Sequence, residues 1–263
     1  MNFSHRIFWA FCLLSLLSGC VGRLPVTEPI APADREQALA PLSFFLKQGQ
    51  CDWIDLDLEF SWQAYGSKES YSATMQAGTP ALLRLAVVDP LGQPQVLFVA
   101  NGTRFSLADK RTAEGVEGLL SSKYVQQFVP ASVLKEDVFY WLSGRTRTCS
   151  LQDVRIYRDH NSSRLWYQFE DTHGLSHWLE LAQHHLMRHI LLGADGTFYL
   201  DVQYSDYAEI EGRCVWPSSV KIAGDHLPAE LVLTVKKIYG TQPKDKQIFH
   251  FDMPTHFTAH VVE

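Results

Sequence analysis

Residues 81–107 read ALLRLAVVDPLGQPQVLFVANGTRFSL, and this stretch decides the fold. Ala81 to Val88 and Gln95 to Ala100 are short, apolar and rich in β-branched residues, the length and composition of strands. Asn101-Gly102 then turns the chain into a third strand from Thr103 to Leu107. Between the first two stands Asp89-Pro90-Leu91-Gly92, which suits a type I turn. Asp starts it, Pro presets φ at the second position and Gly closes it. Leu91 is left at the tip, where turns normally present a polar residue to water. It either meets a membrane or an acyl chain, or folds back over the sheet edge as an ordinary surface leucine.

Outward from this meander the period stays at two. Trp53 to Trp62 alternates apolar and polar side chains, the signature of a half-buried antiparallel strand. Ser70 to Gln76 reads as its hairpin partner, with Gly78-Thr79-Pro80 as the turn that follows. Upstream, Asp34 to Gln48 reads as a helix: Asp34 is a candidate N-cap, and Leu39, Leu42, Phe45 and Leu46 recur at helical spacing. Downstream, Thr112 to Tyr124 and Ala131 to Leu142 carry helical spacing, the second ended by Gly144. Eight strands are expected after that: Val154–Arg158, Arg164–Glu170, His177–Ala182, Leu186–Leu192, Thr197–Tyr204, Val215–Ile222, Glu230–Tyr239 and Ile248–Phe251. Turn residues separate them. The reading is an α+β, β-rich chain, with a sheet of about eleven strands expected, one leading helix and two inserted midway.

The first residues form a secretion signal. His5-Arg6 precede an apolar run from Ile7 to Leu17, too short to span a bilayer, and Leu17-Ser18-Gly19-Cys20 closes it. That tetrapeptide resembles the bacterial lipobox, which implies cleavage after residue 19 and a diacylglycerol plus an N-acyl chain such as palmitate on Cys20. Val21 is not the Asp that retains lipoproteins in the inner membrane in enterobacteria-like sorting, so outer-membrane delivery is implied. Val21 to Ala33, with Pro25, Pro29 and Pro32, reads as an extended tether rising ~3.1 Å per residue. The expected organisation is a signal peptide over 1–19, a lipidated tether over 20–33 and one domain over 34–263.

A net charge of -6, with no long Lys/Arg block, excludes a nucleic-acid footprint. Seven Trp, ten Tyr and fifteen Phe suit a sheet with a large apolar interior. Cys51, Cys149 and Cys214 remain in the mature chain; two could pair in an oxidising compartment, and none shows CxxC spacing. Which two pair is open.

The collinear pattern resembles the LolA/LolB lipoprotein-carrier fold, and LolB-like outer-membrane receptors in particular. Such proteins run from lipobox and tether through a helix and a strand hairpin to an Asn-Pro-Leu-Gly bend. Here the bend is Leu85-Ala86-Val87-Val88-Asp89-Pro90-Leu91-Gly92. Their inserted helix ends in Trp-Leu/Ile-x-Gly, matched by Tyr140-Trp141-Leu142-Ser143-Gly144, and Trp216-Pro217 precedes a late strand. Asp89 in place of Asn and the extra cysteines depart from the pattern. The resemblance implies a half-open antiparallel barrel with a two-helix lid over an apolar cavity. It also implies Leu91 as membrane-insertion residue and, as partners, a periplasmic LolA-like carrier, acylated lipoproteins and membrane lipid. Cavity candidates are Trp62, Leu85, Val87, Phe98, Trp141, Leu142, Trp166 and Phe198, with a closed core as the alternative reading. The function expected is a monomeric outer-membrane receptor that accepts lipoproteins and inserts them. The alternative is a lipid-binding or lipid-sensing envelope lipoprotein without transfer activity.

An enzyme is not expected. No GxxxxGK[ST], strand-linked GxGxxG or GxSxG is present, so neither a cofactor nor a nucleotide is implied. His184, His185 and His189 form the most metal-like cluster. On a strand, however, positions 185 and 189 lie ~13 Å apart, too far for one ion.

Overall fold

The computed structural model describes residues 24–263 except 50, 65–66, 128–137, 147–148, 163, 213, 226, 228 and 244. The signal peptide, Cys20 and the first part of the helix expected over 131–142 lie outside the described residues.

Fifteen strands form one sheet. They are β1 (Thr27–Pro29), β2 (Trp53–Ala64), β3 (Ser67–Gly78), β4 (Leu82–Val88), β5 (Pro94–Asn101), β6 (Arg104–Asp109), β7 (Glu114–Leu119), β8 (Arg155–Asp159), β9 (Leu165–Glu170), β10 (Ser176–Ala182), β11 (His185–Leu192), β12 (Phe198–Ile210), β13 (Cys214–Ala223), β14 (Glu230–Gly240) and β15 (Thr258–Val262). Their order across the sheet is β1-β8-β9-β10-β11-β12-β13-β14-β2-β3-β4-β5-β6-β7-β15, antiparallel throughout except where β15 runs parallel to β7. Two meanders, β2 to β7 and β8 to β14, meet at the β14–β2 seam. The sheet is open, with β1 and β15 as its edges.

Three helices are described: α1 (Arg35–Lys47), α2 (Lys123–Gln126) and α3 (Val138–Ser143). Helix α1 starts from a 3-10 turn over Pro32–Asp34, so Asp34 is already helical and its side chain caps nothing, contrary to the N-cap expectation. Ala38, Leu42 and Phe45 press α1 onto the sheet with Val154, Ile156, Tyr167, Leu179 and Val202, and Tyr167 donates to the Ala38 carbonyl at 2.9 Å. Arg145 holds the other end of α1. Its guanidinium donates to the carbonyls of Phe45 and Gly49 and to Gln48, satisfying groups that a helix terminus leaves open. A second core joins β2 and β3 (Ile54, Leu56, Leu58, Ala73, Met75) to Phe139 and Leu142 of α3 and to Trp216. The face bearing α1 and α3 therefore holds both large cores.

Several expectations are corrected. Among the described residues the strand count is fifteen, not about eleven. The expected helix over 112–124 is mostly β7, with only the one-turn α2 at its end, because Gly115 and Gly118 open the space into which Met253 and Val262 of the parallel pairing pack. Of the two expected lid helices, the first is reduced to the short α2, while residues 138–143 of the second are helical as α3 and its earlier part lies outside the described residues. Ile248–Phe251 is not a strand. Asp245 caps a 3-10 turn over Lys246–Phe249 through the Gln247 amide, and Phe249 is buried edge-on against Trp53 on the sheet's opposite face. Thr27–Pro29, within the segment read as a tether, pairs with β8.

Cys51 and Cys214 form a disulfide, and Cys149 is free and half-buried.

Candidate functional site

The turn at 89–92 has the expected form. Gly92 donates to the Asp89 carbonyl at 2.9 Å and takes φ +78, the left-handed step that ends a type I hairpin loop and that glycine supplies without steric cost. The Asp89 carboxylate fixes the loop: Oδ1 accepts from the Leu91 and Gln93 amides at 2.9 Å each, and Oδ2 from Gln95 at 2.9 Å. An asparagine would keep both amide bonds, so Asp89 serves the geometry of the Asn-Pro-Leu-Gly bend. We expect Asp89→Ala to cost about 1 kcal/mol and Asp89→Asn a fraction of that, measured by urea denaturation. The outcome of this rigid turn is a leucine held out in solvent. Leu91 is 84% exposed, among the most exposed large apolar side chains described.

Cross-strand pairing shows which residues share its sheet face. One unbroken row runs Ile238, Leu56, Met75, Leu85, Phe98, Leu107 and Val116 from β14 to β7. The next row toward the turn runs Leu58, Ala73, Val87 and Val96. Both lie on the helix-bearing face with the β2–β3 core. Burial falls off along it: Leu56 and Leu58 are buried, whereas Phe60, Trp62, Leu85, Val87, Val96 and Phe98 are only half-buried. Phe98 stacks on Phe105 at 6.1 Å and Phe105 on Tyr124 of α2 at 6.2 Å, which continues the apolar surface toward β6. The half-buried stretch therefore leads along β4 and β5 to the exposed leucine.

Six of the eight cavity candidates share this face. Trp62, Leu85, Val87 and Phe98 line its half-buried part, while Trp141 and Leu142 are side chains of α3 itself, buried in the first and second core respectively. Trp166 and Phe198 lie on the opposite face, in a separate cluster with Ile190, Leu192, Tyr157 and Trp178. Strand β9 is apolar on both sides, so alternation alone could not say which face either aromatic takes. Cys20 lies outside the described residues.

Cavities of about 210, 430 and 310 Å³ elsewhere are edged by charged side chains, among them Arg104 and Glu117, Arg164 and Lys221, and Asp153 and Arg155. None belongs to the apolar face. Across the opposite face run ion pairs: Arg164 with Glu180 and Arg188 with Asp201, both at 2.6 Å, and Lys221 with Glu230 at 2.7 Å. Among the described residues no three His, Cys, Asp or Glu side chains gather as metal ligands. His189 instead meets His177 across the β10–β11 pair, with Nε2 to Nδ1 at 2.9 Å. The spacing of histidines within β11 gave no sign of this, because the partner sits on another strand.

No protein-family model matches the chain, and no curated protein matches it. Among solved structures it is similar to a DUF1329 family protein from Desulfovibrio piger, with a TM-score of 0.51 at 9% identity over 83% of this chain and 96% of that one. The two share a fold. It is also similar to a LolA superfamily protein from Nitrosomonas europaea, with a TM-score of 0.49, 12% identity, and 82% and 97% of the chains covered. An outer membrane lipoprotein-sorting protein domain from Vibrio parahaemolyticus gives 0.46, 7%, 82% and 97%. Among the described residues the open, mostly antiparallel sheet carries its few α-helices on one face.

Proposed function

We propose that this chain is an acyl-chain-binding protein of the bacterial envelope. It accepts acylated lipoproteins from a periplasmic LolA-like carrier and passes them to the outer membrane, to which a lipidated Cys20 tethers it. The observation that supports this reading is the continuity of the half-buried apolar face (Trp62, Leu85, Val87, Phe98) with a solvent-held Leu91. An acyl chain laid on that face removes methylenes from water at ~0.8 kcal/mol each. Half-buried side chains supply part of that gain, which leaves the cargo free to move on into a bilayer that supplies all of it. No covalent step is involved.

Transfer of a fluorescent triacylated peptide from the protein to liposomes tests the reading. Leu91→Glu removes the ~1.5–3 kcal/mol of apolar insertion and adds a charge, so transfer slows at least tenfold while the peptide still binds. Unchanged transfer removes the role of Leu91. Retained peptide binding with no transfer by the parent protein leaves a lipid-binding lipoprotein only.

A further inference from the structure

Two histidines interrupt otherwise apolar rows of the helix-bearing face. His189 stands in the row Ile156, Tyr167, Leu179, His189, Val202, Ile222, and His177 in the row Phe169, His177, Leu191, Leu200. Both rings are 1% exposed. His177 stacks on Phe169 with centroids 4.8 Å apart, and His189 stacks on Trp141 of α3 at 4.2 Å and 14°. Asp171, in the β9–β10 turn, sets the protons. Its Oδ1 accepts from the amides of His173 and Leu175, and its Oδ2 lies 3.6 Å from His177 Nε2. At 3.6 Å this is an electrostatic contact and not a hydrogen bond; a hydrogen on His177 Nε2 faces the carboxylate favourably, and His177 Nδ1 is then the acceptor. His189 Nε2–H then donates to that acceptor. This assignment, taken from the network, leaves His189 Nδ1 as a buried lone pair, and that atom has no hydrogen-bond partner.

The ring holding this lone pair is the one on which α3 rests. Through Trp141 the helix joins the core of α1 and β8–β13, and through Phe139 and Leu142 it joins the core of β2 and β3. Tyr204 also donates to the Trp141 carbonyl at 2.9 Å. Helix α3 thus spans the two halves of the sheet.

We propose that the His177–His189 pair is an acid-sensitive latch: neutral, it seats α3 through Trp141, and on protonation it releases α3 and uncovers the apolar face beneath.

Among the described residues Asp171 is the one carboxylate facing the pair, and His177 stands between it and His189. Glu180 and Arg188, on the same two strands, take the opposite face and are paired with Arg164 and Asp201. Tyr167 and Tyr204 face the cluster from β9 and β12, α1 contributes Ala38, Leu42 and Phe45, and Arg145, just past α3, is engaged with the end of α1. Among the described residues a proton on His189 therefore meets no counter-charge. Burial pushes His177 down to about 4 despite Asp171, and burial followed by the neighbouring His177 holds His189 well below the usual imidazole range. The docked state binds fewer protons than the released one, so docking is intact above about pH 6.5. It weakens as pH falls, by up to about tenfold per pH unit for each histidine.

Hydrogen exchange tests the latch on the intact protein. Between pH 7.5 and 5, amide protection over Val138–Ser143, corrected for intrinsic exchange, falls at least tenfold while that of the central β2–β3 amides holds. The double variant His177→Phe/His189→Phe keeps the stacks and loses the pH dependence. In the parent at pH 7.5, imidazole ¹⁵N shifts show His189 Nδ1 unprotonated. Flat protection over 138–143, a slope that survives in the double variant, or a protonated His189 Nδ1 at pH 7.5 each overturns the proposal. None of these readouts depends on what the face binds.

Discussion

Replacing Cys51 and Cys214 together by serine lowers stability by about 2–5 kcal/mol, the loss expected for a native disulfide closing a long loop. The bond links residues 163 apart in sequence, one just before β2 and the other at the start of β13. Those strands are not neighbours, since β14 lies between them. The disulfide therefore spans the seam between the two meanders, where only the β14–β2 ladder otherwise joins them within the sheet. Without it the unfolded chain regains the freedom of that whole loop. Both cysteines are buried in the core with Ile54, Phe139, Ile210 and Trp216, so the seam also loses packed sulfur. Urea titration of the parent, oxidised and then reduced, and of the double serine variant measures the effect. Reduction reproduces the variant if the bond itself is responsible. Cys149→Ser serves as control, since that thiol is free and its ionisation is already suppressed by burial.

Gly144→Ala is expected to cost about 2–5 kcal/mol, from two sources that a control separates. Gly144 takes φ +65 directly after α3, and the Arg145 amide reaches back to the Tyr140 carbonyl at 3.0 Å, the hydrogen bond of a Schellman ending. A Cβ in this conformation costs roughly 1–2 kcal/mol. It would also overlap the Tyr207 hydroxyl, which cannot retreat: Tyr207 donates to Leu186 at 2.6 Å and stacks on His185 at 4.5 Å. Such overpacking adds roughly 1–3 kcal/mol. Gly174 and Gly196 have the same sign of φ with nothing within 4 Å of an added Cβ, so Gly174→Ala or Gly196→Ala shows the backbone cost alone. Denaturation midpoints of the three variants give the difference. The turn matters because the residue it delivers is Arg145, the cation that holds the end of α1.

The hairpin at 81–101 was legible because its information is local: turn chemistry at 89–92 and alternation on both sides determine the geometry without reference to any distant residue. The same holds for most strands after residue 150. What the sequence hid is non-local. Val116, Leu119 and Leu120 fit a helical stripe until β15 and Met253 are known to pack at Gly118 and Gly115. Trp166 and Tyr167 look alike in a strand that is apolar on both sides, and only the α1 contact shows that Tyr167 is the one facing the helices. His177 and His189 need the β10–β11 register before they become a pair. The tip leucine stood out in the sequence, and its exposure is observed; the half-buried grading of the face behind it was not readable from composition.

The β14–β2 ladder has a consequence for biogenesis. Strand β2 ends at Ala64 and its partner β14 begins at Glu230, so in a nascent chain emerging from its N-terminus one edge of β2 stays bare until most of the polypeptide exists. A bare strand edge beside a greasy surface invites aggregation. Until β14 is made, the early meander therefore presents an unpaired β2 edge, which its late partner then covers.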